Sequence, residues 1–251
     1  MKKYYKGLLM AISMFTIIPL PHYEWDDEGG KNIMKFYPII GLIVGLIWYF
    51  SYKLLYLIGV STMVVAAITM IVPFLVTGML HLDGFMDVCD ALLSRRDKNE
   101  KLRILKDPHT GAFAVISVVM LFTVNFAALY TIVDNNKNLV GLILIPIISR
   151  SLIGFLLLNK ESMKESSLGA FFKQGTGKVD KAILLSFLVI TTVIAMIIFN
   201  FYGIILSAVM IIISTLLVNN ACKEFDGISG DSAGYGLVIA ELIGVLILSI
   251  I

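Results

Sequence analysis

Residues 61–90 read STMVVAAITMIVPFLVTGMLHLDGFMDVCD, and this stretch decides the fold. The first twenty residues, 61–80, contain no charged side chain, and carboxylates enter only at Asp83, Asp87 and Asp90. A transmembrane helix needs about 20 mostly apolar residues. The stretch therefore predicts a helix that crosses a membrane and ends in an acidic motif.

The rest of the chain has the same apolar character. Of the 251 residues, 58% are hydrophobic and 15% are charged, whereas a soluble domain has about 25% charged residues. We predict an all-α, polytopic membrane bundle that forms one domain over residues 1–251. The net charge of +2 gives no reason to expect a nucleic-acid partner. The seven predicted spans are 36–58, 61–80, 112–133, 139–158, 182–200, 203–219 and 235–251.

The N-terminal apolar stretch is interpreted differently. Residues 7–20 are too few to cross a bilayer and end in a Pro-Leu-Pro sequence, so we expect an interfacial or re-entrant helix. The Lys- and Arg-rich segments 81–111, 159–181 and 220–234 then lie on the same side as the N-terminus. The positive-inside rule makes that side cytoplasmic and leaves the C-terminus outside.

The three aspartates of the acidic motif are spaced i, i+4 and i+7, which places Asp83, Asp87 and Asp90 on one helical face. Aligned carboxylates repel each other unless a hard cation such as Mg²⁺ neutralises them. Gly84 would let a phosphate or a second backbone approach closely. The alternative is that the acids only cap the helix start and face water.

Cations flank this motif. Arg is the natural bidentate ligand of phosphate, so Arg96 and Lys106 are candidates for holding a diphosphate. The alternative for both is an anchor on the cytoplasmic surface. His81 is a candidate as well, although an isolated histidine at a membrane interface is more often hydrogen-bonded scaffold.

A second polar cluster, DGISGDSAGYG at residues 226–236, precedes Glu241 in the last span. A carboxylate within a span is costly and marks a functional site by default, and a glycine-rich loop can wrap an anion through its backbone N–H groups. We expect Asp231 to join the site of the first motif. Arg150 lies in apolar sequence and needs an anionic partner. The alternatives are packing glycines with a snorkelling acid, and an interface anchor for Arg150.

The order of these motifs resembles the cobalamin-5′-phosphate synthase family, which has adenosylcobinamide-GDP ribazoletransferase activity. The likeness extends to the N-terminal segments 15–21 and 36–41 and so covers nearly the whole chain. The residues that carry it are the HLDGxxDxxD motif at 81–90, Arg96, Lys106-Asp107 with Gly111, Ser149-Arg150, Leu168-Gly169 with Phe172, and Gly230-Asp231 with Gly234 ahead of Glu241.

The resemblance implies a Mg²⁺-dependent transferase of cobalamin (vitamin B12) biosynthesis in a prokaryotic cell membrane. It would join adenosylcobinamide-GDP to α-ribazole or α-ribazole 5′-phosphate: a ribose hydroxyl attacks the corrinoid-linked phosphate and GMP leaves. An oligomer is compatible with the sequence. The resemblance and the residue patterns together predict catalytic roles for Asp83, Asp87, Asp90 and Asp231, and metal contacts from these four and Glu241. The residues predicted to contact substrate or phosphate are His81, Gly84, Arg96, Lys106, Asp107, Arg150 and Gly230.

Some positions depart from the family pattern. Ala91 stands where a Gly is common, Pro108-His109 replace a basic or polar pair, and Val238 replaces an acid, which leaves Glu241 as the single carboxylate of its span. Two alternatives remain open: a CDP-alcohol-type phosphotransferase, and a cation or metabolite transporter. The position of nearly all the acids at the ends of spans disfavours the transporter.

Overall fold

The computed structural model describes residues 2–21, 25–164 and 167–251, and these parts of the chain are helical. One isolated β-bridge joins Ser162 to Ile228. The helices are α1 (Lys2–Phe15), α2 (Asp27–Gly30), α3 (Tyr37–Leu57), α4 (Thr62–Val76), α5 (Leu80–Leu93), α6 (Lys98–Leu105), α7 (Ala112–Asp134), α8 (Gly141–Asn159), α9 (Ser167–Lys173), α10 (Lys178–Phe199), α11 (Phe201–Glu224) and α12 (Gly230–Ile250), with a 3₁₀ turn at Ile33–Phe36 before α3.

Within the described ranges, six helices are long and apolar enough to cross a membrane: α3 with its 3₁₀ turn, α7, α8, α10, α11 and α12. A bent pair, α4 and α5, gives a seventh crossing if it is counted as one span. The predicted polytopic all-α bundle is confirmed. The helix α1 has 14 residues and is not among the spans.

The predicted helix over 61–80 is wrong at its C-terminal end. It stops at Val76, and the chain bends by 94° before α5 begins. Gly78 and Met79 have φ values of +58° and +62°, and residues in this left-handed region cannot continue an α-helix. The acidic motif therefore occupies a helix of its own, α5, which begins after the bend.

The helix α8 is the centre of the bundle. Most of its residues are buried, and α3, α10 and α12 pack around it. The helix α3 approaches it through two glycines four residues apart. A Cβ added to Gly45 would lie 2.6 Å from the Ile143 carbonyl oxygen, and one added to Gly41 would clash with the carbonyl of Pro146. Small residues at this spacing let membrane helices pack closely.

Polar contacts connect the interhelical segments to one another at the two opposite ends of the bundle. One end, here called the basic end, joins the N-terminal region to the segments around 98–107, 159–181 and 220–234. The contacts at the basic end are Lys35–Asp180, Lys98–Asp226 and Lys101–Glu224, and those at the opposite end are Tyr56–Asn136 and Lys137–Ser249. Seven crossings of the membrane require this distribution of the segments between the two ends.

Candidate active site

Two helices meet at the basic end through glycines. A Cβ added to Gly84 of α5 would lie 2.7 Å from the Asp231 Cα of α12, and one added to Gly234 would lie 3.1 Å from the His81 carbonyl oxygen. The atoms that an added Cβ would meet belong to the backbone of the other helix and cannot shift at low cost. Glycine at these positions is therefore what permits the close approach. The contact brings the first acidic motif and Asp231 together across the long sequence between them.

The start of α12 is held by a neighbouring loop. The Ile228 N–H donates to the Glu161 carbonyl at 2.8 Å, and the Met163 N–H donates back to the Ile228 carbonyl at 3.0 Å. The Ser229 hydroxyl then caps the helix by accepting a backbone N–H in its first turn. Asp231 is thereby fixed in the first turn of α12.

The carboxylates crowd around Asp87. Asp87 is partly buried, and the nearby charges of Asp83, Asp231 and Asp90 act on its carboxyl group. All three of these neighbours are anions, so each disfavours the ionised form of Asp87. A hard cation would relieve this repulsion.

The Asp90 carboxylate is directed toward the N-terminus of α7. The Ala114 N–H donates to the Asp90 Oδ1 at 3.3 Å, and the Asp90 carboxylate lies so close to Gly111 that a side chain there would clash. A carboxylate at a helix N-terminus is stabilised by the unpaired N–H groups and the helix dipole. The aspartates thus lie where α5, α7 and α12 converge.

These donors do not form a metal centre by themselves. Within residues 2–21, 25–164 and 167–251, no three acid, His or Cys side chains are close enough to hold an ion. Asp83 and Asp90 are seven residues apart, about 10 Å along the helix, so one ion cannot bind both. Mg²⁺ commonly takes one or two carboxylates and completes its shell with phosphate oxygens and water. The arrangement fits a metal–phosphate complex, and the metal roles of the aspartates stay predictions.

Two of the predicted site residues bind each other. The Arg150 Nη1 lies 2.5 Å from the Glu241 Oε1, and the Ser149 hydroxyl donates to the same oxygen at 2.9 Å. Arg150 is 1% exposed and Glu241 8%, so the interface-anchor interpretation of Arg150 is wrong. Glu241 follows Asp231 by ten residues, about 15 Å along α12, which is too far to share an ion. The predicted metal role of Glu241 and phosphate role of Arg150 do not fit this geometry.

The remaining predicted cations lie on the surface. Arg96 is exposed on the loop after α5, and Lys106 is exposed at the end of α6. Lys106 and Asp107 line a shallow open cleft, whose described walls do not include the acidic motif. The Asp107 carboxylate accepts hydrogen bonds from the backbone and ring of His109, and these bonds lower the pKa of Asp107.

Sequence reasoning missed an apolar cavity of about 190 Å³ beside Asp231. His81, Gly230 and Gly234 line it as well, and the space around Gly230 is open. The Tyr37 hydroxyl lies 3.0 Å from the His81 Nε2. Tyr37 belongs to the N-terminal segment that carries part of the family likeness, and that likeness was the available signal for it.

These features define a polytopic, all-α membrane protein with a carboxylate-rich site at one end of the bundle. The chain belongs to the CobS (cobalamin-5-phosphate synthase) family, whose profile matches residues 7–249.

Several similar proteins carry the name adenosylcobinamide-GDP ribazoletransferase. One from Clostridium perfringens (strain SM101) is 51% identical over 251 residues, which is 100% of each chain. One from Clostridium botulinum (strain Alaska E43) is 50% identical over 244 residues, or 97% of each chain. A more distant one from Geobacillus sp. (strain WCH70) is 26% identical and covers 93% of this chain and 91% of its own. No solved structure matches the chain.

Proposed function

We propose that this chain acts in cobalamin biosynthesis as an adenosylcobinamide-GDP ribazoletransferase. The structural observation that carries the proposal is the crowding of Asp83, Asp90 and Asp231 around Asp87 where α5 meets α12. Such a site suits an anionic diphosphate bound together with a divalent cation. Relatives that are half identical over the full chain and carry this activity in their names support the same conclusion.

The reaction joins a nucleoside hydroxyl to a corrinoid phosphate. A ribose hydroxyl of α-ribazole, or of its 5′-phosphate, forms a bond to the phosphorus next to the corrinoid arm, while the bond from that phosphorus to GMP breaks. GMP leaves with the bonding electron pair, and a carboxylate of the cluster accepts the hydroxyl proton. Bound Mg²⁺ would neutralise the diphosphate and the leaving group. The aspartates would hold this cation and through it orient the diphosphate.

We place the site at the cytoplasmic face of a prokaryotic cell membrane. The aspartates lie at the basic end of the bundle, and lysines and arginines near spans favour the cytoplasm. Soluble nucleotides reach the site from that side. The N-terminus is then inside and the C-terminus outside.

The Arg150–Glu241 pair argues against a transporter. An intramembrane carboxylate that carried a cation would have to be available to it, whereas the Glu241 Oε1 accepts from Arg150 at 2.5 Å and from Ser149 at 2.9 Å. The acid that motivated the transporter alternative is therefore neutralised within the bundle. A CDP-alcohol-type phosphotransferase remains the alternative enzyme, and the assay of GMP and CMP release distinguishes the two.

The test is GMP release by the purified protein in detergent or lipid nanodiscs. With adenosylcobinamide-GDP and Mg²⁺ present, we expect GMP and the condensed corrinoid in equal amounts when α-ribazole is added, and neither without it. Addition of EDTA should stop both. Absence of GMP release at saturating substrates would overturn the proposal, and CMP release from a CDP-alcohol under the same conditions would favour the alternative enzyme.

A further inference from the structure

The cavity beside Asp231 has a wall of rings and aliphatic side chains. The Phe15 ring centroid is 4.6 Å from that of Tyr37 and 6.0 Å from that of Phe172. Ile153 and Leu157 of the central helix α8 also line the cavity. A wall of this kind favours a flat, apolar ring system over a charged group.

The size of the cavity restricts its occupant. An apolar cavity of roughly 150 Å³ accepts a benzene ring, whereas pockets for drug-sized molecules measure about 300–1,000 Å³. At about 190 Å³, this cavity has room for one ring or two fused rings. A corrin macrocycle and a whole guanosine nucleotide are both too large.

An unpartnered nitrogen of His81 can select among fused rings. His81 is 7% exposed and its Nε2 lies 3.0 Å from the Tyr37 hydroxyl, while its buried Nδ1 has no hydrogen-bond partner among the described residues. With the Tyr37 hydroxyl donating to Nε2, Nδ1 carries the ring proton and is a free donor. Guanine would bring several donors and acceptors and leave most of them unpaired, which is costly. A benzimidazole attached to ribose has one free ring nitrogen, an acceptor.

We propose that this cavity is the subsite for the base of the acceptor nucleoside. A benzimidazole-type base packs against the wall formed by Phe15 and Phe172, and its free ring nitrogen accepts a hydrogen bond from the His81 Nδ1. This inference rests on the proposed transferase function and deepens it. Because Gly230 and Asp231 line the same cavity, a base bound there directs its ribose toward the carboxylates, where the hydroxyl must react.

The first test uses small probes on the wild-type protein, without metal or corrinoid. The compound 1-methylbenzimidazole has the single ring nitrogen acceptor, and 1-methylindole is the same shape without it. We expect about tenfold tighter binding of the benzimidazole, as one net hydrogen bond implies. The preference should disappear in His81→Phe, which keeps a ring but removes the donor.

The second test fills the cavity. Ala233 of α12 lines it, so Ala233→Leu should raise the KM for α-ribazole roughly tenfold or more and leave the KM for adenosylcobinamide-GDP unchanged. The matched control is Ala127→Leu, because Ala127 is exposed on the spanning helix α7. If the filled variant does not fold, inhibition of the wild-type enzyme decides: 1-methylbenzimidazole should compete with α-ribazole and not with the corrinoid nucleotide.

Equal binding of the two probes, or competition of 1-methylbenzimidazole with adenosylcobinamide-GDP, would overturn the subsite. Displacement of the bound probe by guanosine would overturn it too, by assigning the cavity to the donor base. These outcomes differ from failure of the proposed function, in which the wild-type protein releases no GMP at all. GMP release with the wrong probe behaviour refutes only the subsite.

Discussion

At the scale of single residues, Asp87 lies among the carboxylates of Asp83, Asp90 and Asp231. Asp87→Asn keeps the size of the side chain and removes its charge. We expect kcat for GMP release to fall by about 10²-fold or more, because electrostatic stabilisation of a transferring phosphate is worth several kcal/mol at about 1.4 kcal/mol per factor of ten.

The control for this change is Asp134→Asn. Asp134 is exposed at the opposite end of the bundle, in the last turn of α7, and its substitution should leave kcat unchanged. Both variants are compared at saturating substrates across a Mg²⁺ titration. An Asp87→Asn enzyme as fast as its control would exclude this carboxylate from the reaction.

The Arg150–Glu241 pair makes a prediction about stability. Glu241→Gln leaves a buried guanidinium without its counter-charge, which should destabilise the fold by about 3–5 kcal/mol. The double variant Arg150→Met with Glu241→Leu removes both charges and should recover most of that loss. Unfolding in detergent, followed as a double-mutant cycle, measures both. Wild-type stability in Glu241→Gln combined with a weakened Mg²⁺ response would instead restore Glu241 as a metal ligand.

At the scale of helices, three of the seven spans, α3, α7 and α8, were predicted to within two residues at both ends, and each of the other four differs by four or five residues at one end. The helix α7 was predicted over 112–133 and runs over Ala112–Asp134, and α8 was predicted over 139–158 and runs over Gly141–Asn159. Polar segments mark these boundaries sharply. The end of α4 was missed because the apolar composition continues through residue 80, whereas the bend depends on the left-handed backbone at Gly78 and Met79.

The contact between α5 and α12 depends on Gly84. Gly84→Ala puts a Cβ within 2.7 Å of the Asp231 Cα, so the two helices must separate and the carboxylates with them. We expect a loss of stability of about 1–3 kcal/mol and a loss of kcat of about tenfold or more. The control is Gly177→Ala, where an added Cβ meets no described atom within 4 Å. Unchanged kinetics in Gly84→Ala would show that the close contact does not position the site.

At the scale of the whole molecule, the sequence did not predict which residues of different helices contact each other. The sequence predicted that Arg150 needs an anion, but its partner Glu241 lies on another helix and was assigned to a metal instead. The apolar cavity is likewise built from separate segments around Phe15, Tyr37, Ile153 and Phe172. Periodicity places residues on helical faces, and only packing decides which faces meet.

The orientation in the membrane is predicted by the two ends of the bundle. Asn99 is exposed at the basic end and Asn135 at the opposite end. With Cys222 changed to Ala and the buried Cys89 kept, a membrane-impermeant maleimide should label Asn99→Cys in inside-out vesicles only. Asn135→Cys should be labelled in right-side-out vesicles only. The reverse pattern would place the carboxylates outside the cell.

We propose that these carboxylates act through a metal ion on the phosphate that is transferred. The most direct measurement uses adenosylcobinamide-GDP with sulfur in place of a non-bridging oxygen on the corrinoid-linked phosphate. Mg²⁺ prefers oxygen, and softer ions such as Mn²⁺ or Cd²⁺ accept sulfur more readily. We predict that GMP release from this analogue with Mg²⁺ is slowed by about 10²-fold, and that Mn²⁺ or Cd²⁺ restores most of the rate. An equal slowing with all three ions would contradict a metal contact to that phosphate.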